Sequence, residues 1–377
     1  MPRLLLQTAG ESHGPGGIAI VTGLPAGLGV DTDFINAELR RRQGGYGRGG
    51  RQKIEDDHVQ WLGGVRAGLT TGAPVALLVP NRDNRLDDPE RTPPVHRPRP
   101  GHADLAGAVK YGTDDCRNVL ERASARQTAA RTAAGALANC MLAELGIRTL
   151  GYVTAMRDAI VELDVTDKNI DEVRANRDAS SMYCPDTDAT AAMESRVRQA
   201  KEQKDTVGGL CRVHVLGVPM GLGTCMTRQG GLDARLAAAV MSIQAFKSVE
   251  IGLGRAVADR WGSEVHDAIS FDPAQEDSPT RGFTRNTNRA GGIEGGMSNG
   301  QPIVVTGAMK PISTLLRGLP SVNLQTKQPE DSDYERSDVC AVSAASVVMQ
   351  NAVAFEIAAA VLEKFGGDSM DELQKRL

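Results

Sequence analysis

Short apolar runs alternate with longer helix-like stretches along the whole 377-residue chain. Apolar runs bounded by glycine or proline are typical of strands. They predict strands at 4–8, 18–22, 61–66, 74–79, 151–161, 207–218 and 303–309. Stretches that carry helix start or stop signals predict helices at 34–42, 124–145, 233–245 and 338–365. The pattern therefore indicates a mixed α/β chain.

Polar residues at the predicted helix starts are suited to cap them. Asp31 offers an N-cap to the first helix, and Ser124 with Gln127 matches the S-x-x-Q capping box before the second. Ser337 or Asp338 is expected to cap the last helix. The predicted start at Ser124 would also attract an anion, because its backbone N–H groups are unpaired and carry the positive end of the helix dipole.

Two short patterns occur twice, in the same order. The heptapeptide Gly-Leu-Pro-Ala-Gly-Leu-Gly at 23–29 returns as Gly-Val-Pro-Met-Gly-Leu-Gly at 217–223, each time after a predicted strand and before a predicted helix. Gly-x-Pro precedes one strand at 72–74 and another at 300–302. Chance can repeat such patterns in a glycine-rich chain, but the shared order indicates two related halves within one domain spanning 1–377.

Composition narrows the classes of function. The net charge of −4 argues against a general nucleic-acid binder. The six cysteines have no C-x-x-C spacing, so neither a zinc site nor a disulfide framework is indicated. The apolar stretch at 339–365 contains polar and charged residues and is expected to be a buried helix rather than a membrane span, and the N-terminal apolar run is too short for a signal peptide. A cytoplasmic enzyme with no metal is expected, and the charged stretch at about 162–205 is expected to be a loosely helical, peripheral excursion.

Two histidines lie on tight loops rather than on apolar faces. His13 stands in Gly-Glu-Ser-His-Gly and His102 in Pro-Gly-His-Ala-Asp. Imidazole suits proton transfer at neutral pH, so both are candidates for acid–base chemistry. Either one, taken alone, is also compatible with an ordinary surface histidine.

Arginines collect in two segments where glycine or proline leaves them accessible. Arg42, Arg48 and Arg51 lie in the glycine-rich run at 40–53, and arginine forks suit carboxylate and phosphate groups. An RNA-binding Arg/Gly segment is the alternative for this run, although it is short, occurs once and belongs to an acidic protein. The segment 97–131 adds further arginines around the predicted helix start.

A second glycine-rich segment, 291–302, precedes a strand that leads to Lys310, Ser313 and Thr314. Glycines would let a flat ring or a phosphate approach the backbone, and those three side chains could hold a phosphate. The spacing matches neither a Walker loop nor a dinucleotide-binding turn. Together these features indicate an enzyme that binds a multiply anionic small molecule without an activated serine or cysteine.

Several segments, in order, resemble the chorismate synthase family over nearly the whole chain. They are GESHGP at 10–15, RRRQGGYGRGGR at 40–51, RPGHADLAGAVKYG at 99–112, ERASARQTAAR at 121–131, SIQAFKSVEIGLG at 242–254 and the run from GGIEGGMSNGQPIVV through MKPISTL to ERSD within 291–338. The resemblance implies a lyase that converts 5-enolpyruvylshikimate 3-phosphate into chorismate and phosphate by 1,4-elimination, the last step of the shikimate pathway in aromatic amino acid biosynthesis. It also implies reduced FMN, which donates an electron transiently and recovers it.

The resemblance also implies roles for individual residues. His13 and His102 would be the acid–base histidines, with Asp338 helping proton removal. The residues expected to bind substrate are Arg42, Arg48, Arg51, Arg99, Arg126 and Arg336. The residues expected to bind FMN are Arg42, Arg48, Arg122, Ala123, Ser124, Ala125, Gln244, Ala245, Gly295, Lys310, Pro311, Ile312, Ser313, Thr314 and Arg336. Two positions depart from the family pattern: Gln127 stands where glutamate is expected, and Gln244 where asparagine is expected.

The implied fold is an α+β sandwich, α/β in composition, of two similar halves with helices packed between antiparallel sheets. A homotetramer is implied, without nucleic-acid or membrane partners, and reduced flavin would come from an external NAD(P)H-dependent reductase. Two alternatives remain at this stage. One is a flavin-independent phosphate lyase acting on another sugar-acid phosphate, and the other is an RNA-binding protein that uses the Arg/Gly run.

Overall fold

The fold was analysed in a computed structural model that describes residues 4–50, 54–278, 280–335 and 337–377. The strands are β1 (Leu5–Ala9), β2 (Gly16–Thr22), β3 (Gln60–Gly63), β4 (Val65–Arg66), β5 (Leu69–Thr70), β6 (Val75–Pro80), β7 (Arg148–Met156), β8 (Ala159–Ile160), β9 (Gly209–Leu216), β10 (Phe246–Ile251), β11 (Ile269–Phe271), β12 (Phe283–Arg285), β13 (Ile293–Glu294), β14 (Met297–Ser298), β15 (Ile303–Met309), β16 (Pro320–Val322) and β17 (Pro329–Asp331). The α-helices are α1 (Thr32–Gln43), α2 (Asp104–Tyr111), α3 (Arg117–Ala123), α4 (Thr128–Glu144), α5 (Ile170–Ala179), α6 (Thr187–Glu202), α7 (Leu232–Met241), α8 (Gly262–Val265), α9 (Val342–Phe365) and α10 (Met370–Arg376). Short 3₁₀ turns lie at Ala125–Gln127, Gly254–Asp259 and Pro273–Gln275.

Two antiparallel sheets enclose a layer of helices. The first sheet has the order β1-β2-β6-β3 and the second the order β10-β15-β9-β7-β8. Helix α4 packs on the first sheet and α9 on the second, and the two helices pack against each other, with α1 and α7 beside them. This arrangement confirms the predicted sandwich of helices between antiparallel sheets.

The two halves of the chain repeat one topology. The order β1-β2-β6-β3 in the first half corresponds to β7-β9-β15-β10 in the second. The repeated heptapeptides occupy equivalent places, after β2 and after β9. Two of the three glycine pairs match in conformation: Gly23 and Gly217 have φ of 90° and 76°, and Gly27 and Gly221 have φ of 82° and 81°. The sequence echo therefore marks two structurally equivalent halves.

The halves share one hydrophobic core centred on α4 and α9. Small residues let these helices approach closely. A Cβ added to Gly135 of α4 would lie 2.2 Å from the backbone oxygen of Asn351 in α9. Among the described residues, α9 is the one helix long and apolar enough to cross a membrane, and 89% of its most apolar stretch is buried inside the protein. It is a core helix, as predicted.

The predicted helix caps are correct at α1 and wrong at two other helices. The Asp31 side chain accepts a hydrogen bond from Phe34 N, so it caps α1. Ser124 instead caps the 3₁₀ turn, accepting from Arg126 N at 3.2 Å, and α4 begins only at Thr128. The capping box does not form. Neither Ser337 nor Asp338 caps α9, which begins at Val342.

The stretch at 162–205 contains two regular helices rather than loose helical structure. Ile170 and Val173 of α5 join Leu150 and Tyr152 in a small cluster on the face of β7 opposite α9. The apolar face of α6, which includes Val197, belongs to the main core. The stretch is therefore packed against both the outer face of the second sheet and the helical layer.

Candidate active site

A cavity of about 610 Å³ lies where α4 and α9 begin, between loops of both halves. Of the residues that the structure describes, seven Lys and Arg side chains and three carboxylates line it, although the whole chain is acidic. The lining cations are Arg42, Arg48, Arg85, Arg99, Arg126, Lys247 and Lys310, and the lining carboxylates are Glu55, Glu335 and Asp338. The N-terminal ends of two long helices add to this positive field, so the cavity is suited to an anion with several charges.

His13 is held by a buried carboxylate. It lies on the loop between β1 and β2, and Glu121, which is 1% exposed, accepts from both its backbone N and its ring Nδ1 at 2.9 Å. Burial alone would raise the pKa of Glu121, but hydrogen bonds from the His13 ring and backbone hold that pKa below its usual value. The ionised carboxylate fixes the ring hydrogen on Nδ1, and Nε2 accepts from Arg85 at 3.2 Å. Nε2 is therefore the ring nitrogen suited to exchange a proton.

His102 is held in the same manner from a different part of the chain. Its Nδ1 contacts Asp104, the first residue of α2, which is fully buried. Asp104 also accepts from Arg99 N at 3.0 Å and Arg99 Nε at 2.8 Å. Burial would raise the pKa of Asp104, but hydrogen bonds from His102 and Arg99 place it well below its usual range. One carboxylate thus orients a candidate acid–base group and a candidate anion-binding group together.

A third buried carboxylate joins two of the arginines. Asp57 is 1% exposed and accepts from Arg42 Nη2 and Arg126 Nη1, each at 2.6 Å. Burial would raise the pKa of Asp57, but the two guanidinium charges hold it below its usual value. Arg126 also donates to Asn81 Oδ1 and to the backbone oxygen of Pro80. The guanidinium groups are therefore held in place before any ligand arrives.

The described part of the Arg/Gly run closes one side of the cavity. Arg48 Nη1 lies 2.8 Å from Asp338 Oδ2, and Gly49 N donates to Asp338 Oδ1 at 2.5 Å. Asp338 lies just before α9, so it connects this run to the start of that helix. Its role in the structure is this contact and not the predicted helix cap.

One wall of the cavity contains an unsatisfied hydrogen-bond acceptor. The Oε1 atom of Gln244 is buried and accepts no hydrogen bond from the described residues. Next to it, Ala245 has a φ of 70° and its backbone oxygen accepts from Lys310 N at 2.9 Å. Burial, together with the charge of Lys247, lowers the pKa of Lys310. A buried acceptor beside a partly desolvated cation fits a planar, hydrogen-bonding ligand with an anionic end, and FMN has both features.

The structure brings most of the predicted site residues together. The lining includes His13, His102, Asp338, Arg42, Arg48, Arg99, Arg126, Ala123, Ser124, Ala125, Gln244, Ala245, Lys310, Ile312, Ser313 and Thr314. Arg122 and Pro311 do not line it. Arg122 donates to the backbone oxygens of Thr8 and Gly10 and so supports the loop that carries His13.

Gly295 is not among the residues that line this cavity within one chain, and its role stays a prediction. It lies in the turn of the β13–β14 hairpin, next to the N-terminal end of α7, whereas the cavity is lined from the C-terminal end of α7 onward. Arg51 and Arg336, which were predicted to bind substrate, lie outside the described residues.

The buried carboxylates and Arg85 were not among the predicted site residues. Two of the carboxylates had a signal in the sequence, because each lies close to predicted site residues. Asp104 stands two residues after His102, and Glu121 directly precedes Arg122 in an arginine-rich run. Asp57 carried no such signal, because only the fold brings it to Arg126. Within the described chain, no group of three His, Cys, Asp or Glu residues could hold a metal ion.

Comparisons with known proteins show that the chain is similar to one family over nearly its whole length. The family model described as chorismate synthase matches residues 4–362. A chorismate synthase of Desulforudis audaxviator is 52% identical over 97% of this chain and 94% of its own length, and one of Desulforamulus reducens is 50% identical over 99% and 97%. A solved structure titled "Crystal Structure of Chorismate Synthase" covers 100% of this chain and 96% of its own at 38% identity, with a TM-score of 0.80.

Proposed function

The chain belongs to the chorismate synthase family of shikimate-pathway lyases, and we propose that it converts 5-enolpyruvylshikimate 3-phosphate into chorismate and phosphate with the help of reduced FMN. The observation that carries the proposal is the cavity itself, in which fixed arginines surround two histidines that are each held by a buried carboxylate. The substrate carries one phosphate and two carboxylates, so its charge matches the excess of lining cations.

The arginines bind and orient the substrate in this proposal. Arg42 and Arg126 share Asp57 and keep other N–H groups for a phosphate or carboxylate oxygen. Arg99 is fixed by Asp104 and donates to Thr314 Oγ1 at 3.0 Å, which ties the two halves together across the cavity. Because these groups are held by buried partners, little side-chain freedom is lost when the substrate binds.

The histidines move the protons. Each ring is oriented through Nδ1, so Nε2 is the atom that would give a proton to the departing phosphate or to the cofactor. Asp338 is proposed to assist removal of the ring hydrogen, with Arg48 and Gly49 N holding its carboxylate in place. The chain offers charge and proton transfer at fixed positions, in keeping with chemistry that a cofactor supplies.

Reduced FMN, when bound, would supply an electron transiently and recover it, so the reaction is redox-neutral overall. The residues that would hold it are Ser124, Ala125, Gln244, Ala245 and the run 310–314, all but Pro311 of which line the cavity. The buried Oε1 of Gln244 suits an N–H of the flavin ring, so glutamine fits where the family pattern has asparagine.

Anaerobic turnover tests the proposal directly. The protein is mixed with chemically reduced FMN and 5-enolpyruvylshikimate 3-phosphate, and chorismate absorbance and released phosphate are followed together. Equal amounts of both products are expected only when reduced flavin is present. Folded protein that forms no chorismate would refute the proposal, and phosphate release without flavin would favour the flavin-independent lyase.

A homotetramer in the cytoplasm, supplied with reduced flavin by an external NAD(P)H-dependent reductase, belongs to the same proposal. Large apolar side chains that are more than half exposed, among them Trp261, Ile269 and Phe271, support association of copies. Light scattering after size-exclusion chromatography should give four times the 40.0 kDa chain mass.

A further inference from the structure

The Arg/Gly loop, defined here as residues 44–50, is packed between two other parts of the chain. One is the turn at 180–184 between α5 and α6, and the other is the segment at 337–343 that leads into α9. Both flanking parts make backbone contacts with the loop. The stretch at 162–205 therefore has a structural connection to the cavity, because the loop carries Arg48.

The 180–184 turn holds the loop at its start. The Tyr183 hydroxyl donates to the backbone oxygen of Arg41 at 2.9 Å, and the Arg41 guanidinium lies 5.6 Å from the centre of the Tyr183 ring. Tyr46 N donates to the backbone oxygen of Ser181 at 2.9 Å. The fit is close, since a Cβ added to Gly44 would lie 2.3 Å from the Tyr183 hydroxyl oxygen.

The turn is itself anchored on both sides. The backbone oxygen of Tyr183 accepts from Val153 N of β7 at 2.9 Å, and that of Met182 accepts from Ser343 Oγ of α9 at 3.0 Å. Tyr183 has a φ of 56°, which a residue other than glycine rarely adopts and which its surroundings must therefore maintain. The turn is a fixed support rather than a free surface loop.

The far end of the loop meets the segment before α9. The backbone oxygen of Gly47 accepts from Val339 N at 3.0 Å, and a Cβ on Gly47 would lie 2.7 Å from Val197 of α6. Arg48 and Gly49 then contact Asp338. The Arg/Gly loop is thus held along its length, and Arg48 is the side chain through which it lines the cavity.

We propose that the 180–184 turn, acting chiefly through Tyr183, is a clamp that keeps the Arg/Gly loop closed against α9 before ligand binds, so that Arg48 is presented to the cavity ready for an anionic substrate. Tyr183 is a positioning residue, since it acts through the backbone of Arg41 and Gly44. The consequence for substrate affinity rests on the proposed function, whereas the closure of the loop does not.

Limited proteolysis of the full chain tests the clamp without any ligand. Trypsin is added to folded protein, and cleavage after Arg48 is timed by mass spectrometry against cleavage after Arg228, an exposed site outside the clamp. Tyr183→Phe removes one hydrogen bond and should raise the rate after Arg48 about fivefold, the factor of one ordinary hydrogen bond. The rate after Arg228 should not change. Tyr111→Phe, at an exposed tyrosine, is the matched control.

A pair of substitutions tests the contact itself. Gly44 has a φ of −75°, so alanine is compatible with its backbone, but the new Cβ meets the Tyr183 hydroxyl. Gly44→Ala alone should therefore open the loop more than Tyr183→Phe does. In the double variant the nearest Tyr183 atom to that Cβ would be Cζ at 3.4 Å, so cleavage after Arg48 should return to the rate of Tyr183→Phe alone.

The outcomes separate the clamp from the proposed function. If Tyr183→Phe and Gly44→Ala are folded and both are cut after Arg48 at the wild-type rate, the clamp is refuted. Absence of recovery in the double variant would also overturn it. If the wild type turns over, KM for the substrate should rise several-fold in Tyr183→Phe while kcat stays near the wild-type value. If the wild type shows no turnover, the proposed function fails and the proteolysis result still decides the clamp.

Discussion

Replacement of Glu121 by glutamine should slow the reaction while leaving the fold intact. The glutamine keeps the size of the side chain and one oxygen acceptor. It removes the charge that receives the two hydrogen bonds from His13, at its backbone N and its Nδ1, both 2.9 Å long. It also places an amide donor where the second carboxylate oxygen met the ring. The imidazole then loses the partner that fixes its hydrogen on Nδ1.

The size of the effect follows from these two bonds. A hydrogen bond to a charged group is worth about 1.5–3 kcal/mol and one to a neutral group about 0.5–1.5 kcal/mol, so each bond loses about 1 kcal/mol. The two bonds together stabilise the oriented His13 ring by about 2 kcal/mol less in the variant. A loss of that size corresponds to a fall in kcat of roughly 30-fold. We expect KM to change less than kcat, because Glu121 contacts none of the arginines assigned to the substrate.

A second glutamate provides the control. Glu335 accepts from Arg117 Nη2 at 3.0 Å, and Glu121 lies 3.5 Å from Nη1 of the same arginine, but only Glu121 contacts a histidine. Anaerobic chorismate formation at saturating substrate and reduced FMN should therefore fall strongly in Glu121→Gln and less than threefold in Glu335→Gln. A kcat for Glu121→Gln within threefold of wild type, at an unchanged unfolding midpoint, would refute the assigned role of Glu121.

Four other predictions concern the same site. His13→Ala and His102→Ala should each lower kcat at least ~100-fold in the anaerobic assay, and near-normal rates for both would contradict their roles. Asp57→Asn should destabilise the fold by about 3 kcal/mol in urea at pH 7, since it leaves two buried guanidinium groups without their shared partner. Burial would raise the pKa of the Asp57 carboxyl, but its two arginines lower it. The stability that Asp57 contributes is therefore present above the unfolded pKa of about 4 and is lost as the pH falls further. Asp57→Asn lacks this titrating group, so it should lose less stability than the wild type between pH 6 and pH 3. Gln244→Leu should weaken binding of reduced FMN about tenfold in a fluorescence titration, because it removes the buried acceptor, and unchanged affinity would exclude a contact there. Gln127→Glu should leave kcat within twofold of wild type, since Gln127 contacts Arg122 behind the cavity wall.

The framework of the fold was predictable because its signals are local. The strand 303–309 was predicted with the bounds that β15 has, and the other predicted strands overlap observed strands within a few residues. The heptapeptide repeat located two equivalent turns because only a few residue types tolerate their left-handed backbone. Helix α2 was missed because the proline- and glycine-rich context of 97–112 hid its helical pattern, and α3 was missed because its seven residues are too few to show a helical period.

The partners of the site residues were not predictable in the same manner. The capping box at Ser124 does not form, and the Gln127 side chain instead accepts a hydrogen bond from Arg122 Nη1 at 3.1 Å. Asp57 meets Arg126 across 69 positions of sequence, and nothing in its neighbourhood marks it as the shared acceptor of two arginines. Family resemblance therefore carried the identities of the predicted site residues, and the structure added the carboxylates that hold them.

The location of the cavity follows from the repeated topology, and its chemistry follows from where the repeat breaks down. In each half a Gly-x-Pro strand, β6 or β15, is followed by a long connection and then by the long helix, α4 or α9. Both helices begin at the cavity, whose lining includes Arg126 just before α4 and Ala341 just before α9. Two positive helix ends side by side repel each other unless negative charge lies near them. The duplicated fold therefore favours anion binding at this place. The connections supply different groups, with His102 and Arg99 from the first half and Lys310 and Asp338 from the second, so one duplicated frame gives the cavity two chemically different sides.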